Sequence, residues 1–151
     1  MYDEIQALAE QLAGLRVLHL SATAFGGGVA EIMYTLMPLM KDAGLDPHWG
    51  IIHGHDEFYD VTKLLHNTLQ GAPDLLTQSQ RDIWWKYQEL NAQLFNPDDY
   101  DVVVVHDPQP LGVYAFHQDS TARWAWRCHI DLSTPNSDVL DFLRPEIDRY
   151  A

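Results

Sequence analysis

Residues 101–110 read Asp101-Val102-Val103-Val104-Val105-His106-Asp107-Pro108-Gln109-Pro110, and this stretch decides the fold. Its consecutive β-branched residues show no apolar–polar alternation. A strand of that kind is covered on both faces, as central strands of parallel sheets are. The strand is read over 101–105. Pro110, with φ preset for a first helical turn, opens a short helix to about His117.

Upstream, Ile83, Tyr87, Leu90 and Leu94 step by three and four, a helix stopped by Asn96-Pro97. Phe58, Val61, Leu65 and Leu69 give another, stopped by Gly71-Ala72-Pro73. His48 to His53 reads as a strand. From Val29 to Ala43 apolar residues lie nearly all round, among them Ile32, Met33, Leu36, Met37, Leu39 and Met40. Such a helix is expected to be largely buried, and Pro38 should kink it by removing a backbone donor. Arg16 to Leu20 reads as a strand, Ser21 to Gly28 as a loop, and Ile5, Leu8, Ala9 and Leu12 as a helix ended by Gly14. Downstream, Arg123 to His129 is a strand and Ser137 to Tyr150 a helix containing Pro145. Alternating strands and helices predict an α/β domain of three layers, with an open parallel sheet of at least four strands and right-handed crossovers.

The 151 residues are one domain's worth, and no repeat, low-complexity tract or linker divides them. Nine basic against 22 acidic residues give a formal charge of −13, which argues against a nucleic-acid partner and favours solubility. The single cysteine, Cys128, cannot form an internal disulfide. It reads as a small buried hydrophobe. No stretch approaches the roughly eighteen apolar residues of a membrane span, and the acidic start Met1-Tyr2-Asp3-Glu4 is unlike a signal peptide. A cytoplasmic protein without a membrane partner is expected.

Polar residues collect at the C-terminal ends of the expected strands: Gly26-Gly27-Gly28, then His53, His55 and Asp56, then His106 and Asp107, then His129 and Asp131. In an open parallel sheet those ends share one edge, where ligands bind at the topological switch point. Eight histidines scattered at random would rarely place four of them there. The glycine run is either a tight turn or a backbone cradle for an anion or a sugar hydroxyl at a helix N-terminus. A dinucleotide fingerprint fits poorly, because Glu31 stands where the third small residue belongs. Glu31 in a first turn is equally explained by the helix dipole. No Gly-Lys-Ser/Thr of a phosphate loop follows.

His19 inside its strand reads as a hydrogen-bonded core residue, and His48, His66 and His117 as groups without a role. His53, His55, Asp56, His106, Asp107 and His129 are residue types that ligate zinc, but their spacing is not diagnostic. Ser21 and Ser133 lie at strand ends without the Gly-x-Ser-x-Gly elbow of a hydrolase. Trp84, Trp85, Trp124 and Trp126 read as packing, and Trp49 as packing or a platform for a sugar ring.

Four stretches carry a resemblance: "LHLSATAFGGGVAEIMYTLMPLMKDAGLDPHW", "DEFYDVTKLLHNTLQG", "VVVVHDPQPLG" and "WRCHIDLSTPNSDVLDFLRPEIDRY". In order and through nearly the whole chain, they resemble the trehalose glycosyl-transferring synthases, retaining glycosyltransferases of the GT-B type. The resemblance is weakest over residues 72–100. It implies a Rossmann-like N-terminal domain that holds the acceptor sugar. The remainder of that domain and a second one for the nucleotide-sugar would lie beyond Ala151. It implies that Gly26, Gly27 and Gly28 underlie the donor diphosphate and the transferred sugar. It further implies that His129 contacts the transferred glucose and that Asp107 grips an acceptor hydroxyl. Glu31, His106, Gln109, Arg127 and Asp131 would line the same cleft.

The resemblance implies no protein nucleophile and no metal. The co-substrate would be a nucleotide-diphosphate-glucose, and glucose and trehalose the small-molecule partners. Carboxylates and imidazoles are the groups that pair with hydroxyls, in keeping with this. The chain alone is expected to bind sugar weakly, to be incompetent in transfer, and to form a homo-oligomer through apolar surface meant for a partner domain. Two other readings stand: a small metal-dependent hydrolase using His53, His55, His106, Asp107 and His129, or a non-enzymatic sugar-binding or assembly module.

Overall fold

The computed structural model describes residues 2–150. Helix α1 (Tyr2–Gln11) leads to strand β1 (Arg16–Ser21), helix α2 (Gly28–Asp42) and strand β2 (Asp46–Ile51). Helices α3 (Asp56–Leu69) and α4 (Gln78–Ala92) follow, then strand β3 (Val102–His106), strand β4 (Arg123–Arg127) and helix α5 (Ser137–Asp148). The expected elements are all present, with ends shifted by a few residues. The short helix after Pro110 is a 3-10 helix over Leu111–Phe116. The fourth strand stops at Arg127, so Cys128 and His129 lie in the loop beyond it.

All three strand pairings are parallel, and the sheet order is β2-β1-β3-β4. Right-handed crossovers then put α2 on one face of the sheet and α3 and α4 on the other, because the chain leaves β1 towards β2 and returns past it to β3. On the second face Leu18, Leu20, Val103 and Val105 pack with Ala92 and Val113. Phe58, Leu65, Trp84, Leu111, Val139 and Leu143 form the adjoining core that joins α3, α4 and α5. Thr77 begins α4 with a capping box closed by Gln80, which satisfies donors at both ends of the motif.

Helix α2 differs from expectation. Only Ala30 and Met33 are buried in it, while Ile32, Tyr34 and Leu39 are exposed. Its sequence is apolar all round, but the sheet covers one side only. The helix runs on through Pro38. No helix is long and apolar enough to cross a membrane among the described residues.

Candidate functional site

The strand order places the switch point between β1 and β3, where successive connections depart in opposite directions. A cavity of about 200 Å³ opens there, lined by Ser21 to Thr23, Gly26 to Ala30, His66, His106, Asp107 and Gln109. A neighbouring hollow of about 560 Å³ shares Ala22, Thr23, His66 and Gln109 and adds Tyr59, Thr62 and Lys63 from α3.

Gly27 caps α2 with φ 87° and offers no side-chain cap. The first-turn N–H groups of α2 therefore have no acceptor within their own helix and form a cradle suited to an oxyanion or hydroxyl. A Cβ at Gly27 would meet open space, so only its positive φ resists substitution. Gly27→Ala is expected to cost about 1–2 kcal/mol of stability through that φ alone. A urea titration reads it as a lower midpoint with unchanged slope.

Asp107 is the one non-glycine residue with positive φ among the described residues, at 64°. Three bonds hold it there: its N–H donates to the Arg127 carbonyl at 3.0 Å, Trp126 Nε1 donates to its carbonyl at 2.9 Å, and the His129 N–H donates to its Oδ1 at 2.6 Å. Backbone strain that is over-determined by its surroundings is a recurrent mark of functional sites. Burial raises the Asp107 carboxyl above the ordinary value, opposed by the His129 N–H. Its Oδ2 receives no hydrogen bond from the described residues. Gln109 Oε1 is buried and has no partner.

Two ring–ring bonds connect three histidines. His106 Nδ1 lies 2.9 Å from His129 Nε2, and His106 Nε2 lies 2.9 Å from His19 Nδ1. His19 is thus the hydrogen-bonded core residue expected, with a partner the sequence did not name. Burial lowers the pKa of both inner rings. That of His106 falls to about 4, with the neighbouring His19, His129 and Arg127 adding to the effect of burial.

A buried neutral histidine binds its proton in the unfolded chain near pH 6.5 but in the native state only near 4. Its contribution to stability is therefore complete above about pH 6.5 and is lost as pH falls towards 4. Denaturation midpoints are expected to decline from about pH 6.5 downward, before most carboxylates titrate. A midpoint flat from pH 7 to 5 would contradict the neutral, buried state of these rings.

Six of the residues singled out in the sequence thus line one cavity: Gly26, Gly27, Gly28, His106, Asp107 and Gln109. His129 is tied to it through Asp107 and His106. Glu31, Arg127 and Asp131 are exposed and outside its lining, and Asp131 accepts from Ser133 N and Oγ instead. His66, read as having no role, lines both hollows, and its helical spacing gave no signal of this.

His53 and His55 belong to a different groove, with Tyr87 and Asn91, so the residues of the supposed metal site do not converge. No group of three or more His, Cys, Asp or Glu is placed to hold a metal ion among the described residues. Ser21 Oγ accepts from Trp49 Nε1, and Ser133 Oγ is engaged by Asp131, so neither is set up as a nucleophile. Trp49 packs edge-on against Tyr34 and is not among the residues lining the cavity.

Comparison with known proteins gives the family. Residues 19–151 match the family model described as the N-terminal domain of trehalose synthase. The chain is 51% identical over 154 aligned positions to a trehalose synthase of Rubrobacter xylanophilus, covering 99% of this chain and 37% of that protein. It is 41% identical to one of Pyrococcus horikoshii, covering 98% and 36% respectively. A trehalose phosphorylase of Pleurotus pulmonarius is 31% identical, over 99% of this chain and 22% of its own length. The chain therefore spans little more than a third of the synthases it matches. With a parallel sheet, a glycine cradle and Asp107 gathered at one switch point, this chain belongs to the trehalose synthase family, matching its N-terminal domain.

Proposed function

We propose that the chain is the acceptor-side domain of a retaining glycosyltransferase that joins glucose from a nucleotide-diphosphate-glucose to glucose, making trehalose. The observation that carries this reading is the switch-point cavity. There the bare N-terminus of α2 meets Asp107 and the unpartnered Oε1 of Gln109. Such a set of acceptors and backbone donors suits sugar hydroxyls, with no basic patch among the lining residues.

In this reading Gly26 to Gly28 support the donor's diphosphate and transferred sugar, Asp107 Oδ2 accepts from an acceptor hydroxyl, and His129 contacts the transferred glucose. His106 and Gln109 line the cleft directly. Glu31, Arg127 and Asp131, exposed and outside the cavity lining, belong in this reading to the wider cleft between this domain and a donor domain. The residues named here position the sugars and support charge on the departing diphosphate, and none serves as a covalent nucleophile. Nucleotide recognition belongs to a donor domain that the relatives' greater length can accommodate. The 151-residue chain alone is thus expected to bind sugar weakly and to transfer none.

The test is a proton–nitrogen NMR titration with glucose and trehalose, then with ADP-glucose. Shifts clustered at Gly26–Gly28, Asp107 and His129 are expected. Shifts clustered elsewhere, or turnover of ADP-glucose with glucose by the chain alone, would overturn the reading. We propose in addition that the chain self-associates through exposed apolar residues such as Phe25, Ile32 and Leu39. Sedimentation velocity should then show mass rising with concentration, and a constant monomer mass would contradict it.

A further inference from the structure

We infer that Trp49 is a positioning residue for the glycine cradle: its indole N–H holds the Ser21 hydroxyl, and that hydroxyl anchors the loop that carries Gly26 and Gly27. The inference rests on the sugar-site reading only for what the cradle binds. The hold on the loop follows from the contacts themselves.

The loop between β1 and α2 has few other restraints. Among the described residues, no main-chain hydrogen bond joins residues 22–26 to the rest of the fold. Gly26 and Gly27 have φ of 70° and 87°, and a Cβ on either would meet open space, so no neighbour clamps the tip of the loop. What holds it is a run of side-chain bonds that starts at Ser21, the last residue of β1. Trp49 Nε1 lies 2.8 Å from Ser21 Oγ, and Ser21 Oγ donates to the Thr23 carbonyl at 3.4 Å. Thr23 Oγ1 then accepts from the Phe25 N–H at 3.0 Å and donates to the Phe25 carbonyl at 2.9 Å. Ser21, Thr23, Gly26 and Gly27 all line the switch-point cavity, whereas Trp49 does not.

Chemistry fixes the direction of the first bond. An indole nitrogen only donates, so Ser21 Oγ accepts from it and keeps its single proton for the Thr23 carbonyl. Accepting one bond strengthens a hydroxyl as the donor of the next. The bond to Thr23 is long, so it depends most on a hydroxyl already oriented. Ser21 is 2% exposed, which leaves little access for water to replace the tryptophan. Sheet register explains the residue type. Trp49 pairs with His19, which puts Ser21 on the diagonal, two residues further along β1. Only a long side chain spans such a diagonal, and phenylalanine would reach it without a donor. Tyr34 of α2 meets the indole edge-on with centroids 5.2 Å apart, which further restricts the ring. Trp49 thereby ties β2 and α2 to the loop that joins β1 to α2.

The experiment is nitrogen relaxation NMR on the ligand-free chain, comparing the native sequence with Trp49→Phe, Ser21→Ala and the double variant. Trp49→Phe keeps a ring against Tyr34 and removes only the N–H. In the native chain the amides of residues 22–27 should be as ordered as the strands, with order parameters of about 0.85. They should fall in each single variant, and no further in the double one, because both substitutions break the same link. Order parameters unmoved in a folded Trp49→Phe chain, or losses that add in the double variant, would overturn the inference. If Ser21→Ala does not fold, Trp49→Phe alone decides. Glucose and trehalose are then titrated into the native and Trp49→Phe chains. Loss of one neutral hydrogen bond behind the cradle should weaken binding roughly three- to tenfold. A loosened loop that binds as tightly as the native one would also overturn the positioning role. A native chain whose spectrum neither sugar changes counts against the sugar site, while the order parameters still decide what holds the loop.

Discussion

Asp107→Ala is expected to weaken glucose and trehalose binding at least tenfold, erasing the NMR shifts at Gly26–Gly28 while the chain stays folded. A hydrogen bond to a charged group is worth about 1.5–3 kcal/mol, which corresponds to roughly ten- to a hundredfold in affinity. The same substitution strips the His129 N–H of its acceptor and leaves alanine at φ 64°. Lost bond and backbone penalty together come to about 2–4 kcal/mol of stability, within what a domain of this size can lose. Asp107→Gly separates the two effects. Glycine takes positive φ freely, so this variant should be about 1 kcal/mol more stable than the alanine variant. Both should be equally poor in binding, because both lack the carboxylate. Urea midpoints and sugar titrations on the two variants provide the check. Binding that follows stability instead of the carboxylate would remove Asp107 from the site.

The sheet was legible because its decisive strand is valine-rich and unalternating, and because parallel strands bring their C-terminal ends to one edge whatever their order. The order itself was not legible. His53-x-His55 seemed able to join His106 and His129, yet β2 lies at the sheet's margin with β1 between it and β3. No local spacing encodes that separation. The ring partnership of His19 and His106 was hidden for a related reason. His19 pairs in register with Val104, so His106 is its diagonal neighbour, a relation that exists only once β1 and β3 are aligned. Helix α2 shows the opposite failure. Its residues reveal an affinity for apolar surroundings on every side, but coverage depends on which side the sheet occupies. Asp107 shows most directly how a sequence position leads to the cavity. A carboxylate directly after a buried central strand has to meet either a ligand or a compensating donor, and here the His129 N–H meets one of its two oxygens.

Trp84→Ala is expected to destabilise the chain by about 3–5 kcal/mol, the usual cost of emptying a buried aromatic site. Trp84 is 0% exposed. Its indole N–H donates to the Pro108 carbonyl at 3.2 Å, and its ring meets Trp85 and Phe142 edge-on. It thereby fixes the segment that immediately follows Asp107. Gln88, one turn further along α4, holds the same segment through the Gln109 carbonyl at 2.8 Å and the Gly112 N–H at 3.1 Å. A Cβ on Gly112 would stand 2.7 Å from both Trp84 and Gln88, so this helix and the 3-10 turn are in close contact with no room for relaxation. The tryptophan's loss should therefore be felt at the site as well as in the melt. Calorimetry should show the lower melting temperature. The amide signals of Asp107 and Gln109 should shift or broaden under conditions where the variant is still folded. A variant with native stability would mean that the neighbouring rings had closed the gap. Lowered stability with unchanged Asp107 and Gln109 signals would show that β3 alone holds the switch-point loop. The coupling follows from the chain's connectivity: the 3-10 turn that anchors the core begins only four residues after the strained aspartate. Packing on the far face of the sheet and geometry in the cavity are properties of one short segment.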